Sequence, residues 1–277
     1  MPDHEGLQFK IFNLPTGESL WIPSDLQLLV PQASSVPIDL LHFLVYIPWD
    51  PKYLVLINRD YRELLTMVLP FLHARTTDVH VAICLPFVNE LIQASSDPVD
   101  QRVAHVAFIL HDAGWGQMTE HEIVDSLGVD GLALTGAAID PKAHHAELGR
   151  VLAQQILNEY LLEPPLTEDQ KEMIYTAILY HDQPAQLAAM GDLPLSIQIV
   201  CDVDHLWSFT HENFWQDTIR KQVEPPTYLK NLERDLDGYF VTKPGKQKAS
   251  RMLEDRAIEV SSWENWISHG WRELPDF

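Results

Sequence analysis

Between residues 60 and 222 the apolar residues recur at spacings of three and four, which is the period of one face of an α-helix. One such face consists of His80, Cys84, Phe87, Val88 and Leu91. Further stretches of the same kind follow one another with short polar breaks between them. This pattern predicts an all-α fold for the central part of the chain, in the form of a helical bundle.

Residue types that cap helices stand in front of these apolar stretches. Asp and Thr side chains accept hydrogen bonds from the free N–H groups of a first helical turn, and proline fits the first helical position. Thr119-x-x-Glu122 and Thr167-x-x-Gln170 match the capping box, in which cap and third residue bond each other. The predicted helix starts are Asp60, Thr77 or Asp78, Asp97-Pro98, Thr119, Asp140-Pro141, Thr167 and Pro194.

The two ends of the chain differ from this central region, so we divide the chain into residues 1–58, 59–222 and 223–277. Prolines from Pro15 to Pro51 interrupt the first part, which we expect to be irregular with short strands at Leu7–Phe12 and Tyr53–Asn58. The last part is predicted to be a helical extension, with helices near 227–237 and 248–267. Because tryptophan is costly to expose, the tryptophans near this end predict packing on the bundle or on another subunit. These are Trp207, Trp215, Trp263, Trp266 and Trp271.

The charge of the chain limits its partners. The sequence has 19 Lys and Arg against 40 Asp and Glu, a formal net charge of −21. Nucleic-acid-binding modules and proteins attracted to anionic membranes need cationic faces, so we expect neither kind of partner. The sequence has no apolar run of bilayer length and no signal-peptide pattern at its acidic start. With only two cysteines, Cys84 and Cys201, it is expected to be cytoplasmic.

Six polar side chains occupy positions where an apolar helical face should continue. A buried imidazole or carboxylate is costly unless it is paired or bound to a metal. A single histidine of this kind is usually a hydrogen-bonded core residue, but here the residues come in order on successive predicted helices. Histidine nitrogens and carboxylate oxygens together suit Fe, Mn, Zn or Ni, and six ligands suffice for two ions. The six are His80, His111, Asp112, His145, His181 and Asp204.

Two of these positions have a neighbour that competes for the same role. Asp204 shares a helical face with Ile197 and Val200, which favours it over Asp202. His145 lies four residues before Gly149 and is favoured over the adjacent His144. We keep Asp202 and His144 as the alternatives.

The order of these residues resembles that of the HD superfamily of metal-dependent phosphohydrolases, whose pattern is H…HD…H…H…D on a helical core. The resemblance covers residues 75–208, about half of the chain. It rests on five segments: Arg75-x4-His80, Phe108-Ile-Leu-His111-Asp112-Ala-Gly114, His145-Ala-Glu-Leu-Gly149, Ile178-Leu-Tyr-His181-Asp182 and Val203-Asp204-His-Leu206.

The resemblance implies a fold and an activity. His80, His111, Asp112 and Asp204 would hold one divalent ion. Asp112, His145 and His181 would hold a second, with Asp112 bridging the two. The cofactor would then be one or two ions of Fe, Mn, Zn, Ni or Mg per chain. His111 and Asp112 would be the central catalytic residues of a hydrolase, in which a metal-activated water attacks a small anionic phosphorylated compound, a phosphomonoester or a nucleotide.

Three further residues are candidates for contact with substrate. Arg75 is a candidate for an anionic group, and His105 lies seven residues before Asp112 on the same helical face. Trp115 is a candidate wall of the pocket. It stands where many binuclear members of the family have a lysine, which weakens the phosphoester interpretation.

Two other functions remain open at this point. The family includes di-iron oxygenases, inositol oxygenase and a phosphonate-cleaving enzyme among them, and their six-ligand pattern is similar. A catalytically silent binding or regulatory module is the third possibility. A homodimer is compatible with the tryptophan-rich end of the chain.

Overall fold

The computed structural model describes residues 7–127, 140–160 and 162–269, and it confirms the predicted all-α bundle. Short 3₁₀ turns connect several of the helices. In chain order the helices are α1 (Arg62–Leu72), α2 (Thr77–Ala94), α3 (Gln101–Leu110), α4 (Glu120–Asp125), α5 (Pro141–Glu159), α6 (Glu168–Tyr180), α7 (Pro184–Ala189), α8 (Leu195–Leu206), α9 (His211–Arg220), α10 (Pro225–Tyr239) and α11 (Lys243–His269).

Most of the capping predictions are confirmed. Thr119 and Thr167 each form a complete capping box at the start of α4 and α6. The Asp140 side chain accepts a hydrogen bond from the backbone N–H of Lys142 at the start of α5. Pro194 directly precedes α8. These starts depend on contacts within one turn of chain, so a local pattern is enough to find them.

Two predicted helix starts were wrong, and so was one predicted cap: α2 begins at Thr77, but its cap position is Thr76 and not Thr77 or Asp78. Asp97-Pro98 does not begin a helix, because α3 starts at Gln101 with Asp100 as its cap, accepting from the N–H groups of Arg102 and Val103. Asp60 does not cap α1 either. It lies in the 3₁₀ turn Arg59–Tyr61, and α1 begins after that turn.

The N-terminal part carries a small hairpin. Strands β1 (Phe9–Asn13) and β2 (Ser19–Pro23) pair antiparallel, with Ile11 opposite Trp21. The strand predicted at Leu7–Phe12 is therefore present, shifted towards Asn13. The strand predicted at Tyr53–Asn58 was wrong. Residues Pro51–Leu56 form a 3₁₀ turn, because the Asp50 side chain accepts from Lys52 N and a proline follows it.

The core forms where α2, α3, α6 and α8 pack together. All the residues of α3 from Val103 to Leu110 are buried, so this helix lies at the centre of the bundle. Each of the four helices therefore turns at least one face towards the interior. Among the described residues, no helix is both long and apolar enough to cross a bilayer.

The C-terminal extension packs on the bundle, as one of the two predicted arrangements requires. The Asp202 carboxylate on α8 accepts hydrogen bonds from the N–H groups of Val241 and Thr242, just before α11. Trp215 is fully buried and lies edge-on to Phe9 of the hairpin at 5.6 Å. Trp271 lies outside the described residues.

Candidate metal centre

Six of the sequence-predicted residues converge in the interior of the bundle from five helices. His80 lies on α2, His145 on α5 and Asp204 on α8. His111 and Asp112 directly follow α3, and His181 directly follows α6. Their ligand atoms form two groups, each compact enough for one ion, and Asp112 belongs to both.

The first group contains His80, His111, Asp112 and Asp204. His80 Nδ1 lies 3.1 Å from Asp112 Oδ2, and His111 Nε2 lies 3.4 Å from the same oxygen. Asp204 Oδ1 closes the group at 3.3 Å from His111 Nε2 and 3.7 Å from His80 Nε2. Two carboxylates and two imidazoles thus share one small volume.

The second group contains Asp112, His145 and His181. Asp112 Oδ1 lies 3.6 Å from His145 Nε2 and 3.5 Å from His181 Nε2. The two imidazole nitrogens are 3.1 Å apart. Since Oδ2 faces the first group and Oδ1 the second, one carboxylate connects them.

Backbone carbonyls set the tautomers of two of these histidines. His111 Nδ1 lies 2.6 Å from the Phe108 carbonyl oxygen, and His181 Nδ1 lies 2.6 Å from that of Ile178. A carbonyl only accepts, so Nδ1 donates and the neutral ring carries its lone pair on Nε2. That is the atom that faces the other ligands, as in metal-binding histidines whose second nitrogen is held by the protein.

The donor set fits a metal ion. His80 Nε2 and His111 Nε2 are buried, with no hydrogen-bond partner among the described residues. Buried polar atoms normally have a partner, and here they lie beside carboxylate oxygens. Imidazole and carboxylate ligands suit Fe, Mn, Zn and Ni. These groups could therefore hold metal ions.

The charges inside the cluster favour a bound cation. Burial alone would lower the pKa of His111, but the charges of Asp112 and Asp204 raise it to about 10. Burial would raise the pKa of Asp112, yet His111 and the other histidines hold it well below its ordinary value. The site thus retains its carboxylates as anions, and the same negative charges that raise the pKa of His111 also attract a divalent ion, which would replace that proton on Nε2.

Two glycines bring α5 against the chain that carries His111 and Asp112. A Cβ at Gly114 would lie 1.9 Å from the His145 carbonyl oxygen, closer than any real contact. A Cβ at Gly149 would lie 3.2 Å from the His111 carbonyl oxygen. The absence of both side chains lets His145 approach Asp112.

Two tryptophans pack on ligand histidines, one in each group. The Trp115 ring stacks on His145 at 4.0 Å, and its Nε1 donates to Asp112 Oδ1 at 3.0 Å. The Trp207 ring stacks on His80 at 5.0 Å. Trp115 thus forms a wall of the site and also orients the shared carboxylate.

The structure leaves the two alternative ligands outside the groups. The Asp202 side chain points to the start of α11 and accepts from Val241 N and Thr242 N. His144 is half-buried and belongs to neither group. Asp204 and His145 occupy the inward positions instead.

A cavity of about 670 Å³ opens over the two groups. Of the three predicted substrate-contacting residues, Arg75 and Trp115 line it. The Arg75 guanidinium lies 4.3 Å from the centre of the Trp115 ring, and Nη1 donates to Ser126 Oγ at 3.3 Å. Arg75 has φ 55 and the next residue, Thr76, has φ 66, so strained backbone precedes α2 at this point.

The prediction for His105 was wrong. Its ring stacks on Tyr61 at 4.9 Å, and Nδ1 bonds the Gln101 carbonyl oxygen at 2.6 Å, away from the residues that line the cavity. Seven residues bring a side chain back to the same helical face, but about 10 Å further along the axis. His105 is therefore a core histidine two turns from Asp112.

Sequence reasoning missed several residues of the cavity. Lys142, Asp182 and His205 each lie within three residues of a predicted ligand, which is the only sequence signal they offer. Outside the two metal groups, five basic and three acidic side chains line the cavity. The basic ones are Arg75, Lys142, Arg220, Lys221 and Arg234, and the acidic ones Asp182, Asp217 and Asp235.

Comparison with protein-family models, curated proteins and solved structures found no match to this chain. The functional argument therefore rests on the geometry of the site. That geometry consists of buried His and Asp groups able to hold metal ions, under a cavity that has a surplus of basic side chains outside these groups.

Proposed function

We propose that the protein is a metal-dependent hydrolase of a small phosphorylated compound. The observation that supports this most is the pair of His/Asp groups that share Asp112, beneath a cavity whose lining outside these groups has five basic and three acidic side chains. The sequence resemblance to the HD superfamily adds to it, because the six residues of that pattern are the ones that converge. Outside the metal groups the cavity is lined by five basic and three acidic side chains, and this balance favours an anionic substrate.

The residues take the following roles in this proposal. His80, His111, Asp112 and Asp204 hold one ion, and Asp112, His145 and His181 hold the other. A divalent ion in such a site supplies a water of lowered pKa and neutralises charge that develops on phosphate oxygens. Asp112, oriented by the hydrogen bond from Trp115, belongs to both groups and fixes their positions relative to each other. Arg75, stacked on Trp115, orients an anionic group of the substrate from the cavity wall.

Metal content and turnover test this proposal. Protein purified anaerobically should contain one or two divalent ions per chain, measured by mass spectrometry. With Mn, Ni, Zn or Mg bound, it should release inorganic phosphate from at least one compound in a panel of phosphomonoesters and nucleotides. Asp112→Asn should abolish both properties. Asp192→Asn, an exposed position far from the ligand set in sequence, is the matched control and should leave both unchanged.

Two results would contradict the proposal. Absence of metal after reconstitution with excess ion would remove its premise. Bound metal without phosphate release from any member of the panel would remove the hydrolytic assignment while leaving the metal site.

One observation favours a second candidate, a di-iron oxygenase. The two groups together offer imidazole and carboxylate donors around a shared Asp112, and these donors suit two iron ions. This candidate predicts about two irons per chain and oxygen consumption that depends on an added substrate. Purified protein with iron and no oxygen uptake, but with phosphate release, would decide for the hydrolase.

A further inference from the structure

A lysine that the ligand pattern does not include lines the same cavity as the second metal group. Lys142 belongs to the first turn of α5, three residues before His145. Its Nζ lies 2.9 Å from Asp182 Oδ2 and 3.1 Å from Oδ1, and Asp182 directly follows His181. Lys142 is therefore close in sequence to the ligand His145, and its ion-pair partner Asp182 is next to the ligand His181.

Three of the other four basic side chains of the cavity have protein partners that are not next to a ligand histidine in the sequence. Arg220 is buried and donates to the Val45 carbonyl oxygen and to Thr76 Oγ1. Lys221 pairs with the nearly buried Asp217 at 2.8 Å. Arg234, a largely exposed residue, pairs with its neighbour Asp235. None of these three is linked to a ligand histidine by a short segment.

The ion pair of Lys142 is suited to exchange its partner. The Lys142 side chain is 48% exposed and that of Asp182 is 18% exposed, so solvent screens the pair and its net stabilisation is small. The flexible four-carbon stem lets the ammonium reach a new partner within the cavity. A phosphate group, with more charge than one carboxylate, competes well for it.

Asp182 keeps a second partner when the lysine leaves. His205 Nε2 lies 3.7 Å from Asp182 Oδ1, and both residues line the cavity. Asp182, Asp204 and His205 also lie close enough together to surround one cation. In the structure the positive charge at Asp182 is the Lys142 ammonium. The Asp182 carboxylate thus holds the Lys142 ammonium in the cavity that the two metal groups also line.

We propose that Lys142 binds the anionic group of the substrate, and that Asp182 is its partner in the resting site. The inference rests on the proposed function and on the contact of Lys142 with Asp182, both of which line the cavity. It also gives the phosphate of the substrate two basic neighbours. These are Arg75, which stacks on Trp115, and Lys142.

Binding of inorganic phosphate to the metal-loaded full chain tests the inference. Titration calorimetry should show that Lys142→Gln weakens phosphate binding by about tenfold, the loss of one charge-assisted hydrogen bond. Lys142→Arg, which keeps the charge, should restore most of the affinity. Lys230→Gln, on an exposed face of α10, is the matched control and should bind phosphate as the wild type does.

Metal content measured on the same samples separates the two proposals. If the wild type binds no metal, the proposed function fails. If metal is bound in all variants but wild type and Lys142→Gln bind phosphate equally, or neither binds it, the assignment of Lys142 is overturned and the metal site stands. Circular dichroism of each variant excludes unfolding as the cause of a lost signal.

Discussion

The indole Nε1 of Trp115 donates a hydrogen bond of 3.0 Å to Asp112 Oδ1. This oxygen is the one that faces His145 and His181, while the other oxygen faces the first group. A hydrogen bond to the shared carboxylate fixes its orientation towards both groups at once. A tryptophan outside the ligand set thus contributes to the geometry of each.

Replacing Trp115 with Phe should weaken metal binding without unfolding the protein. Phenylalanine keeps much of the ring that packs on His145 but removes the hydrogen bond to Asp112. Loss of such a contact behind a ligand costs roughly 10–100-fold in metal affinity. Competition with a chelating dye would measure the change.

Trp263→Phe is the matched control for this variant. Trp263 Nε1 is buried with no hydrogen-bond partner among the described residues, so its loss should leave metal affinity unchanged. Equal affinity in Trp115→Phe and wild type would show that the hydrogen bond to Asp112 does not orient the ligand.

Gly114→Ala should remove His145 from the site. Its new methyl group would overlap the His145 carbonyl oxygen, which is backbone and cannot move aside without shifting α5. We expect a loss of one bound ion per chain and a destabilisation of about 3 kcal/mol, typical of overpacking at a close contact. Urea unfolding and metal analysis would measure the two effects.

Gly238→Ala provides the comparison for that substitution. Gly238 lies in α10 and a Cβ there meets no atom within 4 Å. This variant should be as stable as the wild type or slightly more stable, because alanine favours the helix. A Gly114→Ala protein with the same metal content and stability as Gly238→Ala would refute the close-packing argument.

Asp204→Asn should lower metal content, whereas Asp202→Asn should lower stability. Asp204 lies against His80 and His111, so its amide should lower metal content while the fold persists. Asp202 accepts hydrogen bonds from Val241 N and Thr242 N, so its amide should lower the free energy of unfolding by about 2 kcal/mol and leave metal bound. Metal loss in Asp202→Asn with retention in Asp204→Asn would reverse the assignment made from the structure.

The sequence predicted those parts of the fold that local contacts decide. Thr119 and Thr167 cap their helices because the partner of each lies three residues away. Asp97-Pro98 has the same local pattern as Asp140-Pro141, but Asp100 lies close to the start of α3 and is the residue that caps it. Two good caps three residues apart cannot be ranked without knowing how the preceding loop packs.

For the candidate site, the sequence predicted the six ligand residues better than the other residues that line the cavity. His80 to Asp204 stand out because each interrupts an apolar face. Lys142 and His205 do not, since a charged residue in a first helical turn or beside an aspartate is ordinary. Their presence in the cavity depends on how α5 and α8 pack, which is a property of distant segments. His105 was wrongly predicted to contact substrate. It lies on the same helical face as Asp112, but two turns away along the helix axis.

A histidine between two carboxylates, outside the metal groups, connects the N-terminal part of the chain with α11. His211 at the start of α9 lies 3.0 Å from Glu259 Oε2 through Nδ1 and 3.5 Å from Asp25 Oδ2 through Nε2. Burial would lower the pKa of His211, but the two carboxylates raise it from 6.5 to about 9. The protonated imidazole therefore holds the N-terminal part and α11 against α9.

This pKa predicts how stability depends on pH. Because the folded pKa lies above the unfolded one, the contribution of His211 is complete below about pH 6.5 and is lost as the pH rises through about 9. The full loss amounts to roughly 3 kcal/mol. Urea unfolding of metal-loaded wild type and His211→Gln at pH 6, 7.5 and 9.5 would measure it, since the difference between the two proteins cancels other titrating groups. That difference should be largest at pH 6 and shrink towards pH 9.5, and a difference independent of pH would show that His211 is not held as a cation.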